Sequence, residues 1–371
     1  VVQKTYKFKL YPTKKQVEKL ELWLDLTREL YNGALQERRD AYRINGISLN
    51  YYSQNLQLKE IKTVRPEFAD INSHVLQDCL DKLHKSFNNF FRRVKKGEKP
   101  GFPRFKGKNF FNSFSFPKTR YKIVEGNKYK KINLSRFGEI KFRVNGKIKL
   151  DGELRTATIK RVGQKWFVCI VAEFKPEKLE PTNRKVGIDV GLKSFAVLSD
   201  GQTIDNPRHL SKFKDKLRIA QRRLSRRKKG SNRRRKAIKM VGRIYEQVAN
   251  SRSDFIHKTS RRIINENDLI AIEKLSIKGL ASGMLAKSVL DVSWGNFFEK
   301  LSYKAENAGR TIVRVNPAGT SQTCICGNNV PKKLADRVHN CESCGIICDR
   351  DFMSAQVILK SALNQSVQSL T

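Results

Sequence analysis

The sequence predicts a multidomain protein that combines an α/β domain with a second, mainly β domain. In the C-terminal half, short β-branched runs alternate with helical stretches, which is typical of α/β proteins. Between residues 130 and 175, apolar and polar residues alternate over several short runs, which predicts antiparallel strands. Five of the seven cysteines lie between residues 324 and 348, and in a reducing compartment such clustering favours a metal site over disulfides.

The charge balance indicates a polyanionic partner. The 371 residues include 76 Lys plus Arg and 35 Asp plus Glu, which gives a formal net charge of +41. Charge of this sign and size favours nucleic acid. A membrane surface is the competing interpretation, but we find no apolar stretch of spanning length and no signal-peptide pattern.

The N-terminal region predicts one strand followed by two helices. Residues 4–10 alternate apolar and basic side chains, as a half-buried strand does. Thr13 and Gln16 have the spacing of a capping box, so a helix is expected to begin there. A second helix is predicted to begin near Ser73, and the two helices would form an insertion after the first strand.

Residues 97–117 interleave Pro, Gly, basic and aromatic residues. Such a loop can place cations on phosphates and stack rings on bases. The alternative is that the rings form the core of the following β domain. Hairpin turns are predicted at Asn145-Gly146 and Asp151-Gly152, and we expect a small β-barrel to which residues 4–10 add a strand.

Three acidic residues stand in settings that predict a catalytic centre. Asp189 lies within Val186-Gly-Ile-Asp-Val-Gly, Glu273 follows Leu269-Ile-Ala-Ile, and Asp351 lies where a helix is predicted to begin. A carboxylate inside a buried strand is costly unless a cation neutralises it. Two-metal phosphodiester hydrolysis needs carboxylates that converge, and an RNase H-like fold supplies them from a first strand, a later parallel strand and a C-terminal helix.

We therefore predict an RNase H-like nuclease domain in which Asp189, Glu273 and Asp351 bind divalent metal ions. Taken singly, each acid has an ordinary alternative: a turn residue, a strand-end charge and a helix N-cap, respectively. Asp349 and Asp200 are nearby acids that we rank lower. We expect His257 to pack or to contact the backbone rather than to act as a base.

The cysteine cluster predicts a structural zinc site. Cys341-x-x-Cys344 is a standard zinc knuckle, and Cys324-x-Cys326 is one residue shorter than usual. Together they supply four thiolates. His339 or Cys348 could substitute if the short knuckle strains the geometry, and the alternative is a site that no longer binds metal.

A nearly unbroken run of cations within residues 221–239 predicts contact with phosphates, because no acidic residue alternates with it to form helical ion pairs. The alternative is a solvated helix face. The side chains that we expect to contact nucleic acid are Arg222, Arg223, Arg226, Arg227, Lys228, Lys229, Arg233, Arg234, Arg235 and Lys236, together with Arg104 and Lys106 of the earlier loop.

Several ordered motifs together resemble those of a known family. They are Tyr6-Lys-Phe-Lys-Leu-Tyr-Pro, Gly101-Phe-Pro-Arg-Phe-Lys, Gly187-Ile-Asp-Val-Gly-Leu-Lys-Ser-Phe-Ala, Asp254-Phe-Ile-His-Lys, Thr320-Ser-Gln-Thr-Cys and Asp349-Arg-Asp. Over nearly its whole length the chain resembles the TnpB proteins of bacterial and archaeal insertion sequences, which are relatives of the type V CRISPR effectors. The three acids match the RuvC triad of that family by position.

The resemblance implies an RNA-guided DNA endonuclease of the bacterial or archaeal cytoplasm. A guide RNA from the transposon end would select double-stranded DNA beside a short motif, and Mg²⁺ at the RuvC site would support cleavage. Oligomeric state is left open, with a monomer on RNA favoured. The implied domains are a wedge barrel (residues 1–11 and 106–180), a helical recognition lobe (12–105), the RuvC-like domain (181–318 and 346–371) and a zinc-ribbon insertion (319–345).

Within the recognition lobe the resemblance suggests Tyr52, Ser73 and Gln77 as readers of the short motif, since Gln matches the donor and acceptor of adenine. The alternative is a polar helix face. Met353 stands where the family usually has Asn, which would remove a polar group near a metal ligand.

Three other functions remain open from the sequence. They are a non-cutting RNA-guided repressor of the same family, a transposase, and a zinc-ribbon DNA-binding protein in which the acids are incidental. The presence of all three acids argues against the repressor.

Overall fold

The chain divides into two compact units in a computed structural model, Val1–Lys175 and Pro176–Thr371. The structure describes residues 2–108, 110–126, 129–144, 152–176, 178–333 and 336–368. The unit boundary lies close to the predicted boundary at residues 180 and 181. The predicted turn at Asn145-Gly146, and Asp151 of the second turn, lie outside the described residues.

The N-terminal unit begins with a strand and four helices and continues as strands. Its elements are β1 (Val2–Tyr11), α1 (Lys14–Asn45), α2 (Tyr51–Leu56), α3 (Leu58–Val64), α4 (Ser73–Lys95), β2 (Ser113–Phe116), β3 (Tyr121–Val124), β4 (Lys130–Leu134), β5 (Gly138–Phe142), β6 (Glu153–Val162) and β7 (Lys165–Phe174), with 3₁₀ helices at Pro66–Phe68 and Lys118–Arg120.

The predicted start of the first helix is confirmed in detail. Thr13 is the N-cap of α1, and its hydroxyl accepts a hydrogen bond from the backbone N–H of Gln16. The Gln16 side chain in turn accepts one from the backbone N–H of Thr13 at 2.9 Å. The two residues therefore satisfy donors at the helix N-terminus that would otherwise lack a partner.

The strands of this unit form one seven-stranded sheet in the order β2-β6-β7-β1-β5-β4-β3. Strand β1 joins its two halves, because Val2–Lys9 pairs with β7 whereas Leu10 and Tyr11 pair with β5. Among the described residues the edge strands β2 and β3 do not pair with each other. The prediction of a closed barrel is therefore not borne out.

Helix α1 packs against the sheet of this unit. Trp23 of α1 is buried, and its ring lies 5.8 Å from that of Phe114, 6.3 Å from that of Phe116 and 5.4 Å from that of Phe137. The interior of a small barrel has room only for side chains from its own strands. The helices and the strands of this unit consequently share a single hydrophobic core.

The phenylalanines of residues 97–117 divide into two groups. Phe114 and Phe116 are buried in the core, as the alternative interpretation expected. Phe102, Phe105 and Phe110 are exposed to 47%, 48% and 82%. Phe111 is half-buried and packs against the same core. The core interpretation is therefore right for the two rings on β2 and for Phe111, and wrong for the three exposed rings of the loop.

The C-terminal unit alternates strands and helices. Its elements are β8 (Lys185–Val190), β9 (Ser194–Leu198), β10 (Thr203–Asp205), α5 (His209–Lys212), α6 (Lys214–Ser225), α7 (Asn232–Glu266), β11 (Leu269–Glu273), α8 (Ile277–Leu280), α9 (Ala286–Val292), α10 (Trp294–Ala308), β12 (Thr311–Val315), β13 (Val338–Asn340), β14 (Ile347–Asp349) and α11 (Arg350–Gln368).

Five of these strands form a mixed sheet in the order β10-β9-β8-β11-β12. Strands β8, β11 and β12 are parallel, and β9 and β10 follow as antiparallel neighbours. Side chains of α7 and α10, including Ile263 and Phe297, form one core with Ile188 and Ile272 of the sheet. Ile358 and Ala362 of α11 pack with Ala271 in a second core. Because neighbouring residues of a strand point to opposite faces, the helices cover both faces of the sheet.

Helix α11 lies directly on β8. A Cβ atom built at Gly187 would lie 2.1 Å from the carbonyl oxygen of Ala355, so no other residue fits there without a shift of the helix. The side-chain amide of Gln356 also donates to the carbonyl of Ser199 at 2.6 Å. Gly187 thereby brings the start of α11 to the strand that carries Asp189.

In the part of the chain that the structure describes, no helix is both long enough and apolar enough to cross a lipid bilayer.

Candidate functional site

Asp189 and Glu273 lie side by side on one face of the five-stranded sheet. The parallel strands β8 and β11 pair with Ile188 opposite Ile272, which places the next residues, Asp189 and Glu273, next to each other. Ile188 and Ile272 face α7 and α10, so the two acids face the side that α11 covers. Each acid is near the carboxyl end of its strand.

The third predicted acid, Asp351, begins the helix on that same face. Asp349 is the N-cap of α11, because its carboxylate accepts hydrogen bonds from the backbone N–H groups of Asp351 (2.8 Å) and Phe352 (3.3 Å). The alternative that Asp351 is itself the N-cap is therefore wrong. Its carboxylate instead forms ion pairs with Arg350 at 3.1 Å and with Arg337 at 3.8 Å.

The electrostatics confirm that the three acids share one environment. Desolvation and the negative charges of Glu273 and Asp351 raise the pKa of Asp189 from 3.8 to about 8, although Arg350 partly offsets them. Desolvation also raises the pKa of Glu273, against the effect of a hydrogen bond from Thr320. Carboxylate oxygens are the donors that hard divalent cations prefer, and a bound cation would favour the ionised forms of Asp189 and Glu273.

The carboxylate oxygens of Asp189, Glu273 and Asp351 are more widely spaced than the sulfur atoms of the four cysteines. Within the described ranges, the one group of Cys, His, Asp and Glu residues whose ligand atoms all lie within 4.8 Å of one another consists of the four cysteines. Arg350 and Arg337 supply positive charge beside Asp351.

Two contacts to the three acids come from the cysteine-bearing segment and were missed by sequence reasoning. The first is the buried hydroxyl of Thr320, which donates a hydrogen bond to the Glu273 carboxylate. The second is the guanidinium of Arg337, which forms an ion pair with Asp351. Thr320 opens the motif Thr320-Ser-Gln-Thr-Cys, but that motif contains no feature that indicates a carboxylate partner.

Cys324, Cys326, Cys341 and Cys344 converge as predicted. The Sγ atoms of Cys324 and Cys344 lie 3.6 Å apart, and those of Cys326 and Cys341 lie 3.7 Å apart. Four sulfurs around zinc at Zn–S distances of about 2.3 Å are spaced by about 3.8 Å. The backbone N–H of Cys344 lowers the pKa of Cys341 to about 7, which favours its thiolate. The four side chains therefore fit a closed tetrahedral zinc site.

The short first knuckle is accommodated by a tight turn. The backbone N–H of Gly327 bonds to the carbonyl of Cys324 at 2.9 Å, and Gly327 adopts a φ of 103° that favours glycine. His339 is buried and contacts Lys332 through Nδ1, and Cys348 packs beside the apolar cluster of Cys324, Cys341, Met353 and Val357. Neither His339 nor Cys348 belongs to the four-ligand group.

Met353 belongs to this same buried cluster and is 3% exposed. The sequence suggested that its apolar side chain removes a polar group beside a metal ligand. In the structure that side chain packs against the cysteine-bearing segment, where an apolar residue is suited.

The predicted basic surface lies on a helical hairpin formed by α6 and α7. Leu217, Ala220 and Ile244 pack the two helices together. The sequence holds no acidic residue between Asp215 and Glu246. Most of the predicted phosphate-binding side chains are exposed, and the exposed members are Arg222, Arg223, Arg226, Lys228, Lys229, Arg233, Arg235 and Lys236.

Arg234 has a structural role in this hairpin. Its guanidinium donates to the carbonyl oxygens of Leu224 and Arg227, both at 3.0 Å. Leu224 lies in the last turn of α6 and Arg227 lies two residues beyond that helix, so Arg234, in the first turn of α7, ties α7 to the end of α6 and to the turn that follows it. Its guanidinium is thus less available to phosphate than those of its neighbours.

The remaining predicted contacts lie in the N-terminal unit. Arg104 is exposed, whereas the main chain of Lys106 is bound by the side chain of Asn32 at 2.8 and 3.0 Å. Tyr52 is 74% exposed. Ser73 accepts a hydrogen bond from Lys62 at 2.6 Å, and Gln77 lies one turn further along α4 on the same face. Their role in reading a DNA motif stays a prediction.

Comparison with known proteins identifies relatives over the whole chain. A family profile described as "Probable transposase" matches residues 168–283, a profile described as "Cas12f1-like, TNB domain" matches 294–358, and one described as "Helix-turn-helix domain" matches 2–46. In the structure residues 2–46 form β1 and the single helix α1 rather than two helices.

Two curated relatives carry closely related names. The "Putative RNA-guided DNA endonuclease" of Streptomyces pristinaespiralis is 30% identical over 98% of this chain and 90% of its own length. The "Putative RNA-guided DNA endonuclease InsQ" of Escherichia coli is 27% identical over 98% of this chain and 94% of its own length. A Cas12f1 chain solved with sgRNA and target DNA aligns with a TM-score of 0.63 at 16% identity, over 96% of this chain and 98% of that one, so the two share a fold.

The raised pKa of Asp189 predicts a pH-dependent cost of ionisation. The carboxyl ionises near 3.8 in the unfolded chain and near 8 in the folded one, so its contribution to stability falls as the pH rises between these values. In metal-free protein we expect Asp189→Asn to raise the melting temperature relative to the natural chain by a margin that grows from pH 5 to pH 8, reaches several degrees and then levels off.

Thermal denaturation followed by circular dichroism across this pH range measures the margin. Added Mg²⁺ should reduce it at pH 8, because the ion favours the ionised carboxylate. A margin that does not change with pH would mean that Asp189 is already ionised at neutral pH.

The cysteine geometry predicts one tightly bound zinc ion per chain. We expect elemental analysis of the purified protein to find it, and Cys341→Ser to remove most of it by taking away one of four thiolates. Cys348→Ser is the matched control, since Cys348 lies beside the site but outside the ligand group. Equal zinc loss in both variants would disprove the ligand assignment.

Proposed function

The chain belongs to the TnpB family of RNA-guided DNA endonucleases, and we propose that it cuts double-stranded DNA beside a short target-adjacent motif, directed by a transposon-derived guide RNA. The observation that carries this proposal is the convergence of Asp189, Glu273 and Asp351 on one face of the sheet. The pKa shift of Asp189 adds to it, because a buried acid that is costly to ionise indicates a site for a cation.

The strand order supports an RNase H-like, RuvC-type domain. Numbered within the C-terminal unit, the five strands run 3-2-1-4-5, with the first, fourth and fifth parallel. We assign this domain to residues 181–318 and 346–371 and the zinc ribbon to residues 319–345. We assign residues 1–11 and 106–180 to the wedge and 12–105 to the recognition lobe. Up to Lys175 these are two parts of the N-terminal unit with one hydrophobic core.

Asp189, Glu273 and Asp351 would hold two Mg²⁺ ions. When bound, these ions supply Lewis acidity at the scissile phosphate and stabilise the charge that develops on the leaving oxygen. Thr320 orients the Glu273 carboxylate through its hydroxyl. Arg350 and Arg337 place guanidinium groups beside Asp351, where they can also attract the phosphate backbone of the substrate.

The α6–α7 hairpin would bind the phosphates of the guide RNA. Because the sequence has no acidic residue between Asp215 and Glu246, the charge of the exposed arginines and lysines is available to an external polyanion. Arg222, Arg223, Arg226 and Arg227 also line one surface depression with Ile219.

The proposed activity predicts cleavage that depends on the matching sequence, on Mg²⁺ and on the three acids. The chain is purified with its bound RNA and offered labelled duplex DNA that matches the RNA and carries candidate adjacent motifs. We expect cuts in the presence of Mg²⁺ and a loss of at least 10³-fold in rate for Asp189→Ala, on the order expected for removal of an essential metal ligand. Denaturing gels measure the products.

Asp200→Asn is the matched control, because Asp200 is an exposed turn acid of the same unit whose carboxylate binds Gln202. Binding without cuts would show a repressor, and joined rather than cut ends would show a transposase. If no RNA co-purifies, both guided functions are contradicted.

The hairpin predicts a salt-dependent affinity for RNA. We expect the triple change of Arg222, Arg223 and Arg226 to alanine to weaken RNA binding and to lower the slope of log K against log salt by about 0.7 to 0.9 for each phosphate that is no longer neutralised. Filter binding at several salt concentrations measures the slope. Arg234→Ala should mainly lower the melting temperature, since its guanidinium binds the carbonyls of Leu224 and Arg227. An unchanged slope in the triple variant would mean that this face is only solvated.

A further inference from the structure

A group of phenylalanines lies at the C-terminal end of α4 and in the loop after it. We call this the aromatic surface, and it consists of the half-buried Phe90 and the exposed Phe91, Phe102, Phe105 and Phe110. Phe91 is 58% exposed, Phe102 47%, Phe105 48% and Phe110 82%. Single exposed apolar residues are normal on proteins, but a group of large rings without a polar atom marks a surface that contacts something.

The rings near α4 are held in a fixed arrangement. Phe102 of the loop packs edge-to-face against Phe87 at 5.5 Å and against Phe90 at 5.4 Å. The rings of Phe90 and Phe91 are 5.2 Å apart. Asn32 of α1 binds both the backbone N–H and the carbonyl of Lys106, which fixes the other end of the loop. The rings of Phe90, Phe91 and Phe102 and the main chain at Lys106 are thus held in place before any ligand arrives, which lowers the entropic cost of binding at this surface.

Cations surround the rings. Between residues 92 and 108 the sequence has eight Lys or Arg residues and one acid, Glu98. Arg92, Arg93 and Lys95 are exposed in the last turns of α4. Arg104 and Arg39 line a depression of about 310 Å³ whose other walls include Phe102 and Phe105. One of the eight, Lys108, is engaged in an ion pair with Asp25.

The combination of rings and cations distinguishes among partners. A protein partner could cover the rings but would have to match a dense positive charge. Duplex nucleic acid offers phosphates, but its bases are stacked inside the helix and cannot reach the rings. Single-stranded nucleic acid offers both an exposed base face for each ring and a phosphate for each cation.

We propose that the aromatic surface binds unpaired nucleotides of a single-stranded RNA segment, with the exposed rings stacked on bases and the neighbouring arginines on phosphates. The choice of RNA over a displaced DNA strand rests on the proposed function. Under that function RNA is bound throughout, whereas a DNA strand is unpaired only after the target has opened. Burial of exposed apolar rings is favourable at all times, so a ligand that is bound throughout, such as the RNA, is the one expected to cover them.

The test measures RNA binding rather than cleavage. The full chain, freed of nucleic acid in high salt, is titrated with a short labelled oligo-uridine RNA, with single-stranded DNA of the same length and with blunt duplex DNA. The double variant Phe105→Leu, Phe110→Leu keeps two apolar side chains but loses both aromatic faces. We expect it to bind the RNA about tenfold or more weakly, since each stacked base contributes to affinity through the ring.

The matched control is Phe105→Tyr, Phe110→Tyr, which keeps the rings and should bind the RNA as the natural chain does. Because both residues are exposed loop positions, neither double variant should change the melting temperature. Phe110→Trp provides a direct readout: the other three tryptophans, Trp23, Trp166 and Trp294, are buried, so RNA should quench the fluorescence of the new one.

Equal RNA affinity of the leucine variant and the natural chain would overturn the proposal. So would tighter ring-dependent binding of single-stranded DNA than of RNA, or ring-dependent binding of duplex. Cleavage of a matched duplex is assayed in parallel. If the chain cuts no DNA but its rings still govern binding of RNA, the proposed nuclease function fails while the aromatic surface stands.

Discussion

The cost of placing three carboxylates in one desolvated site governs the C-terminal unit. Asp189 and Glu273 are neighbours across two parallel strands, and Asp351 faces them from the first turn of a helix. The loss of water around Asp189 and the negative charges of Glu273 and Asp351 raise the pKa of Asp189 to about 8. Asp189 therefore stays protonated at neutral pH unless positive charge, from guanidinium groups or from hard cations, stabilises its ionised form.

The rest of this unit holds that arrangement in place. Gly187 allows α11 to approach β8, and Asp349 caps the helix, so that the carboxylate of Asp351 is not needed as the cap. The segment that carries the four cysteines touches two of the three acids, through Thr320 on Glu273 and Arg337 on Asp351. A metal bound by the cysteines would therefore stabilise the same segment that orients the acids. The predicted zinc site and the predicted site for divalent cations are thus linked by one chain segment, through the hydrogen bond of Thr320 and the ion pair of Arg337.

In the N-terminal unit the main constraint is the packing of helices and strands into one common core. Trp23 of α1 packs among the rings of the sheet, so helix and strands are joined by one core although the strands do not close. Phe102, Phe105 and Phe110 of the neighbouring loop are exposed outside this core. Their exposure is the feature that distinguishes this surface from an ordinary solvated loop.

The sequence alone determined the elements and the identity of the reactive side chains. The capping box at Thr13 and Gln16, the strands that carry Asp189 and Glu273, the helix that carries Asp351 in its first turn and the four clustered cysteines all follow from local patterns. The tertiary structure decided what no local pattern contains. It replaced a closed barrel by a sheet that shares its core with helices, assigned Arg234 to a helix end, and brought Thr320 to Glu273. The physical reason is range: capping and periodicity act over a few residues, whereas packing and hydrogen bonds between distant segments depend on the whole fold.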